Sequence, residues 1–285
     1  MRLGGPIYGE WQDAAGWAAL VGTHGYRAAY APIRAGDPVA PGAYARAAAD
    51  AGIVIAEVGA WGNNPLSTDP AEAAASIARC QERLALAEEF GARCCVNVAG
   101  SRGARWAGPD PANFADDTFA LIVDTVRAII DAVKPTRTAY ALEVMPWIFP
   151  DTPDTYVALV EAINRPAFGV HLDPANFIAS PRRFYGNAAL IREACARLGP
   201  LIRSSHAKDI ALLDGRGAVQ FEEVRPGLGG LDYRTFLTEL DRLAPDLPLM
   251  LEHLPRAEEY AAAATHIRGV AAELAISLDG RPGGA

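Results

Sequence analysis

The sequence predicts a single α/β domain folded as one (β/α)8 TIM barrel, and three observations carry that prediction. Short apolar runs alternate with amphipathic stretches eight times over 285 residues, the pattern of parallel strands joined by helical crossovers. The length suits a barrel that spends roughly 250 residues on eight units, about 31 per unit. Four apolar runs end in metal-ligating side chains, Glu143, Asp173, His206 and Glu252, spaced 30, 33 and 46 residues apart. The first two gaps are one barrel unit each. The third is longer by half a unit, and the Gly-rich stretch from Ala211 to Leu231, which lacks a helical pattern, is available to absorb the excess.

The strand-like runs are Leu3–Tyr8, Ala28–Ile33, Ile53–Ala60, Cys94–Ala99, Thr138–Met145, Ala167–Asp173, Leu201–His206 and Leu247–Glu252. Helical signals fall between them. Asp69-Pro70 opens an Ala/Glu/Arg/Leu-rich segment that ends near Gly91, with proline just inside the start. Thr118–Val133 repeats apolar residues at intervals of three and four, and Asp151–Ile163 and Asp232–Leu243 begin on aspartates suited to N-caps. Residues 1–279 are expected to form the barrel and 280–285 a disordered tail.

Composition narrows the function. With 51% hydrophobic residues the chain can bury a large core. A net charge of −8 argues against a nucleic-acid surface, which normally shows a basic stripe. No apolar leader opens the chain, and no run of 18 apolar residues exists to span a membrane. The four cysteines, Cys80, Cys94, Cys95 and Cys195, show no CxxC pair and read as buried free thiols. A soluble cytoplasmic protein without nucleic-acid or membrane partners is expected.

Side chains alternate along a strand. If Glu143 faces the barrel interior, so do the small residues Ala139 and Ala141. Gly169 and His171 share the face of Asp173, Ser204 and Lys208 that of His206, and Met250 that of Glu252. Nothing in this parity keeps the four donors from converging at the carboxyl ends of successive strands, where barrel active sites lie. Three carboxylates and one imidazole form a hard donor set, which favours one divalent ion, Mn2+, Mg2+ or Co2+, over a thiolate zinc site.

These residues resemble the xylose isomerase-like TIM barrel superfamily, and within it the sugar phosphate isomerase/epimerase family. The resemblance runs from the first strand to the last helix. Its most specific parts are Glu143, Asp173, His206-x-Lys208-Asp209 and Glu252, with Pro226-Gly227-x-Gly229 resembling an active-site loop. It implies that Glu143, Asp173, His206 and Glu252 bind one Mn2+-type ion. It also implies that Glu143 and Glu252 exchange a proton with the carbon being inverted in a ketose. One departure stands out: the ketose 3-epimerases of this group carry a substrate-binding histidine three residues after the metal aspartate, and this chain has Asn176.

The expected chemistry is that of an isomerase or epimerase of a sugar, keto-sugar or polyol, by proton transfer through a metal-bound enediolate. Lys208, one of two lysines in the chain, is a candidate third catalytic group or a structural partner for a nearby carboxylate. Asp209 is expected to orient its neighbours, and His171, one layer deeper than Asp173, to support the metal ligands. Trp61, Trp106 and Trp147 follow the third, fourth and fifth strands, where indole faces suit the C–H faces of sugars or simply pack loops. Glu57, Asn97, Asn176 and Arg225 complete the candidate substrate contacts. His253 is expected to be structural, and His24 and His266 to lie on the surface.

Rival readings share parts of this set. A metal-dependent lyase or dehydratase of a keto-polyol begins with the same proton abstraction and then expels a β-hydroxyl. Apurinic-site endonucleases share the barrel but use several metals and many histidines; five histidines and an acidic balance speak against that role. A non-catalytic sugar-binding protein has no need for paired acid/base groups. A homo-oligomer is expected.

Overall fold

The computed structural model describes residues 1–214 and 217–280. Among them, ten strands appear in chain order: β1 (Arg2–Gly4), β2 (Ala28–Tyr30), β3 (Val54–Gly59), β4 (Cys94–Asn97), β5 (Ala139–Glu143), β6 (Phe168–Leu172), β7 (Ile202–Ala207), β8 (Asp209–Leu213), β9 (Gln220–Val224) and β10 (Pro248–Leu251). All but β8 and β9 close into a parallel barrel in the order β1-β10-β7-β6-β5-β4-β3-β2. Each barrel strand falls within, or one residue beyond, one of the eight apolar runs.

The connecting helices start and stop where local chemistry dictates. Asp69 caps helix Pro70–Phe90 by accepting the N–H of Ala71, and Gly91, at φ 64°, ends it in the left-handed conformation that glycine adopts without strain. Thr152 and Thr155 form a reciprocal capping box at the start of helix Pro153–Ile163. The Asp232 side chain accepts the N–H of Thr235 and caps helix Tyr233–Leu243. None of the described helices is long and apolar enough to cross a membrane.

The main apolar core lies between barrel and helices and includes Leu84, Ile129, Leu159, Leu198, Phe236 and Ile267. The barrel interior is filled separately by small residues. One cluster joins Ala28, Ala56 and Met250, and a second joins Cys94, Val96 and Ala141. Small side chains there leave room for a polar layer above them at the carboxyl ends of the strands.

Two irregularities in strand pairing shape that layer. Opposite β2, Ala29 pairs with Ile55 and Tyr30 with Glu57, so Ala56 is an extra residue in β3. Opposite β6, Val170 pairs with Ile202 and His171 with Ser204, so Arg203 is an extra residue in β7. A bulge re-aims the side chains that follow it. The consequence is that Glu57 from β3 and Ser204 from β7 meet across the barrel.

The stretch 211–231, which shows no helical pattern, contains most of a β-hairpin. Strands β8 and β9 pair antiparallel from Asp209–Val224 to Leu213–Gln220. Of the expected tail, residues 281–285 lie outside the described residues. Gly280 is tied down, its N–H donating to the Met1 carbonyl at 3.0 Å. All four cysteines are buried and unpaired. His266 is half-buried rather than on the surface, with its ring packed against Tyr233 at 5.5 Å.

Candidate metal centre

Glu143, Asp173, His206 and Glu252 come from the ends of β5, β6, β7 and β10, four neighbouring strands of the barrel. Each offers one donor atom, and the four atoms lie within 4.8 Å of one another. His206 is fully buried; its Nδ1 sits 2.9 Å from Glu252 Oε2, 3.2 Å from Glu143 Oε1 and 3.9 Å from Asp173 Oδ2. Lys208, between β7 and the first hairpin strand, reaches the same point. Its Nζ lies 2.8 Å from Glu252 Oε2, 2.9 Å from Asp173 Oδ2 and 3.1 Å from Glu143 Oε1.

The donor set fits a hard divalent cation. Asp173 Oδ2 and Glu252 Oε2 are buried and accept no hydrogen bond from the described residues, their contacts with Lys208 and His206 being ion pairs without hydrogen-bond direction. With Glu57 beneath, four carboxylates face Lys208 and His206, a surplus of negative charge that is costly in a dry interior unless a further cation balances it. No thiol of the described residues belongs to the group: Cys94 lies deeper in the barrel, its Sγ 3.8 Å from the Ala56 carbonyl.

Electrostatics follow from this crowding. Burial pushes the Glu143 carboxyl up, but Lys208 and His206 outweigh it and hold it well below the usual carboxylate range. Glu252 is likewise lowered, His206 prevailing over burial. Asp173 is raised by burial, which the Lys208 charge does not overcome. Burial pulls the His206 and Lys208 protonation ranges down, and the surrounding carboxylates lift both well above their ordinary values.

A cavity of about 380 Å³ opens above these groups. Glu143, Glu252, Lys208 and Asn176 line its floor, and Trp61, Trp106 and Trp147 form much of its wall. Asn176 Nδ2 donates to Glu143 Oε1 at 3.2 Å and Trp61 Nε1 donates to Glu143 Oε2 at 3.0 Å, so both oxygens of that carboxylate are held. Trp147 is fixed by its Nε1–H donating to the Ala107 carbonyl at 2.7 Å.

Other expected residues lie elsewhere. Glu57 does not reach the cavity: it is 1% exposed, beneath His206, and accepts from His171 Nε2 at 3.1 Å, His206 Nε2 at 3.3 Å and the Ser204 hydroxyl. The bulge at Ala56 turns it inward. Asn97 points out of the barrel toward helix Pro70–Phe90, where its Nδ2 donates to the Asn63 carbonyl at 3.2 Å and meets Cys80 Sγ at 3.5 Å. Arg225 turns to the outer side of the hairpin and pairs with Glu259 at 2.9 Å, away from the cavity. His171 supports Glu57 from the layer below. Asp209 stays out of the cavity and accepts the backbone N–H groups of Ile210, Gly227, Gly229 and Leu231.

Sequence reasoning missed several wall residues. Val98 and Met145 carry no signal beyond lying just past strand ends. Glu223 reaches the rim on β9, and its carboxylate meets His253 Nδ1 at 3.2 Å. The hairpin that delivers Glu223 was hidden by weak strand patterning. Adjacency to Glu252 was the one available cue for His253.

A sequence model of the xylose isomerase-like TIM barrel family matches residues 18–270. No curated protein sequence matches the chain. Among solved structures, a xylose isomerase domain protein from Planctomyces limnophilus is 20% identical with a TM-score of 0.64, covering 96% of both chains. An L-ribulose 3-epimerase is 16% identical with a TM-score of 0.69, covering 95% of this chain and 93% of the other. Endonuclease IV from Thermus thermophilus is 16% identical with a TM-score of 0.71, covering 96% of this chain and 100% of the other. At such identities these likenesses establish the fold.

Proposed function

The chain belongs to the xylose isomerase-like TIM barrel family, and we propose that it is a divalent-metal-dependent isomerase or epimerase of a sugar, keto-sugar or polyol. One observation carries this reading. Glu143 and Glu252 are at once members of a four-donor cluster and floor residues of an aromatic-walled cavity. A pure binding site has no need for paired carboxylates at a metal, and a DNA-processing surface needs a basic groove that a charge of −8 does not favour.

A Mn2+, Mg2+ or Co2+ ion held by Glu143, Asp173, His206 and Glu252 would supply Lewis acidity to a substrate carbonyl, worth several kcal/mol. The protein's own groups supply the proton chemistry. Glu252, with its side chain 14% exposed, is the freer carboxylate and takes the proton from the carbon beside the carbonyl. Trp61 and Asn176 hold Glu143 in place for the return of a proton, which Glu143 first takes up from solvent, Glu252 releasing its own proton to solvent in the same cycle. Return to the opposite face of the same carbon inverts it; return to the neighbouring carbon moves the carbonyl. General acid–base help of this kind contributes roughly 10²–10⁴-fold. Lys208 Nζ, at the cavity floor, can donate to a substrate oxygen, and the three indoles cover C–H faces and exclude water.

The test is proton NMR of ketoses, keto-inositols and sugar phosphates incubated with the Mn2+-loaded protein in D2O. Carbon-bound deuterium that appears only with metal supports the reading, and the labelled position separates epimerisation from isomerisation. Loss of water mass would instead identify a lyase. Tight binding of a sugar with no exchange under any metal would overturn the catalytic reading.

A further inference from the structure

We propose that Glu57 is a positioning residue for the metal centre, holding the Nε2–H of His206 so that the Nδ1 lone pair faces Glu143, Asp173 and Glu252. The inference rests on the metal reading given above and extends it one layer down.

The two ring nitrogens of His206 face different partners. Nδ1 points up into the three carboxylates, and Nε2 points down to Glu57 Oε2 at 3.3 Å. A histidine that ligates through one nitrogen needs its proton on the other, and the acceptor of that proton fixes both the tautomer and the ring angle. Glu57 is suited to this task because it is itself immobilised. The Ser204 hydroxyl and His171 Nε2 donate to Oε1, and the His171 ring packs edge-on against His206 with centroids 4.1 Å apart. His171 Nδ1 has no hydrogen-bond partner among the described residues, which places that ring's proton on Nε2, where Glu57 accepts it.

Glu57, His171 and His206 are themselves close enough to surround an ion. The geometry favours the relay. His206 cannot ligate through Nδ1 above and Nε2 below without losing both ring protons, and Glu57 already accepts three donors. An upper ion and a lower hydrogen bond satisfy every group except His171 Nδ1.

The variant Glu57→Gln keeps the shape but offers one acceptor oxygen to three donors, and its amide N–H₂ opposes one of them. Isothermal titration with Mn2+ is expected to give one ion per chain in the wild type. In Glu57→Gln the affinity is expected to fall by about 10–100-fold, with a second titration of Ser204→Ala showing a smaller loss. Independently, 15N-histidine NMR of the Mg2+-loaded wild type should show His206 protonated on Nε2, a reading that holds even if Glu57→Gln fails to fold. Wild-type affinity in a folded Glu57→Gln protein, a His206 proton on Nδ1, or two ions per chain would overturn the role of Glu57 while leaving a metal site in place. No ion uptake by the wild type would overturn both.

Discussion

The carboxylate of Asp209 accepts the backbone N–H of Gly229 at 3.0 Å across 20 positions of sequence, and in doing so ties the start of the hairpin to the loop after it. The same side chain collects the N–H groups of Gly227 and Leu231 at 2.9 Å each. Since Lys208 precedes Asp209 directly, this anchor also sets where the lysine leaves β7.

Asp209→Ala leaves four backbone donors without an acceptor, some of which water can reach. Urea unfolding is expected to show a loss of about 2–3 kcal/mol. Limited proteolysis should newly cut between residues 225 and 231. Gly229→Ala should do the same, because a Cβ there would overlap Asp209 Oδ1 and the Ile210 carbonyl. A Gly229→Ala protein as stable and protease-resistant as wild type would contradict the anchor.

His206→Ala removes the one nitrogen donor and the contact to Glu57. Stoichiometric Mn2+ uptake, measured by elemental analysis after gel filtration, is expected to disappear. Unchanged metal content would remove the four-donor site.

Glu252→Gln keeps volume and removes the base. Metal-dependent deuterium exchange into a responsive substrate should fall by roughly 10²–10⁴-fold, with the melting temperature read alongside because Gln also gives up the ion pairs to His206 and Lys208. Wild-type exchange rates would assign proton abstraction to another group.

Glu88 offers a pH test remote from the cavity. Burial raises its carboxyl, but hydrogen bonds from the Thr136 hydroxyl and from the backbone of Arg137 and Thr138 outweigh that and hold it down at about 2, against an ordinary 4.5. A carboxylate depressed on folding adds stability above its unfolded value, and loses it as pH falls through the folded one. Glu88→Gln should therefore cost about 1 kcal/mol at pH 7, with the gap to wild type narrowing between pH 4.5 and 2. A gap that stays constant down to pH 2 would show that the charge of Glu88 contributes nothing.

The barrel was legible in the sequence because its signals are local. Eight apolar runs with helical stretches between them reflect strand and helix periods, and each run holds a barrel strand. The inward face of β5 was equally readable: Ala141 lies in the barrel interior beneath Glu143, as alternation requires. The four candidate donors were picked out the same way, as polar residues at the ends of apolar runs, the first two gaps between them being one unit each.

Other features depended on what no local pattern carries. A single extra residue in β3 turns Glu57 into the barrel interior, where Ser204 already faces with His206, and Ala56 does not announce a bulge as a glycine might. Asn97 follows strict alternation outward, so proximity to a strand end was a misleading guide to the cavity. Arg225 is claimed by Glu259, from a helix 34 positions later in the chain. Sequence by itself determined the barrel and pointed to the residues that could serve as donors, because backbone periodicity and side-chain chemistry are properties of short segments. Tertiary structure alone decided which carboxylate meets an imidazole, which meets Lys208 and which faces the cavity, because those choices are made by register and packing between strands far apart in the chain.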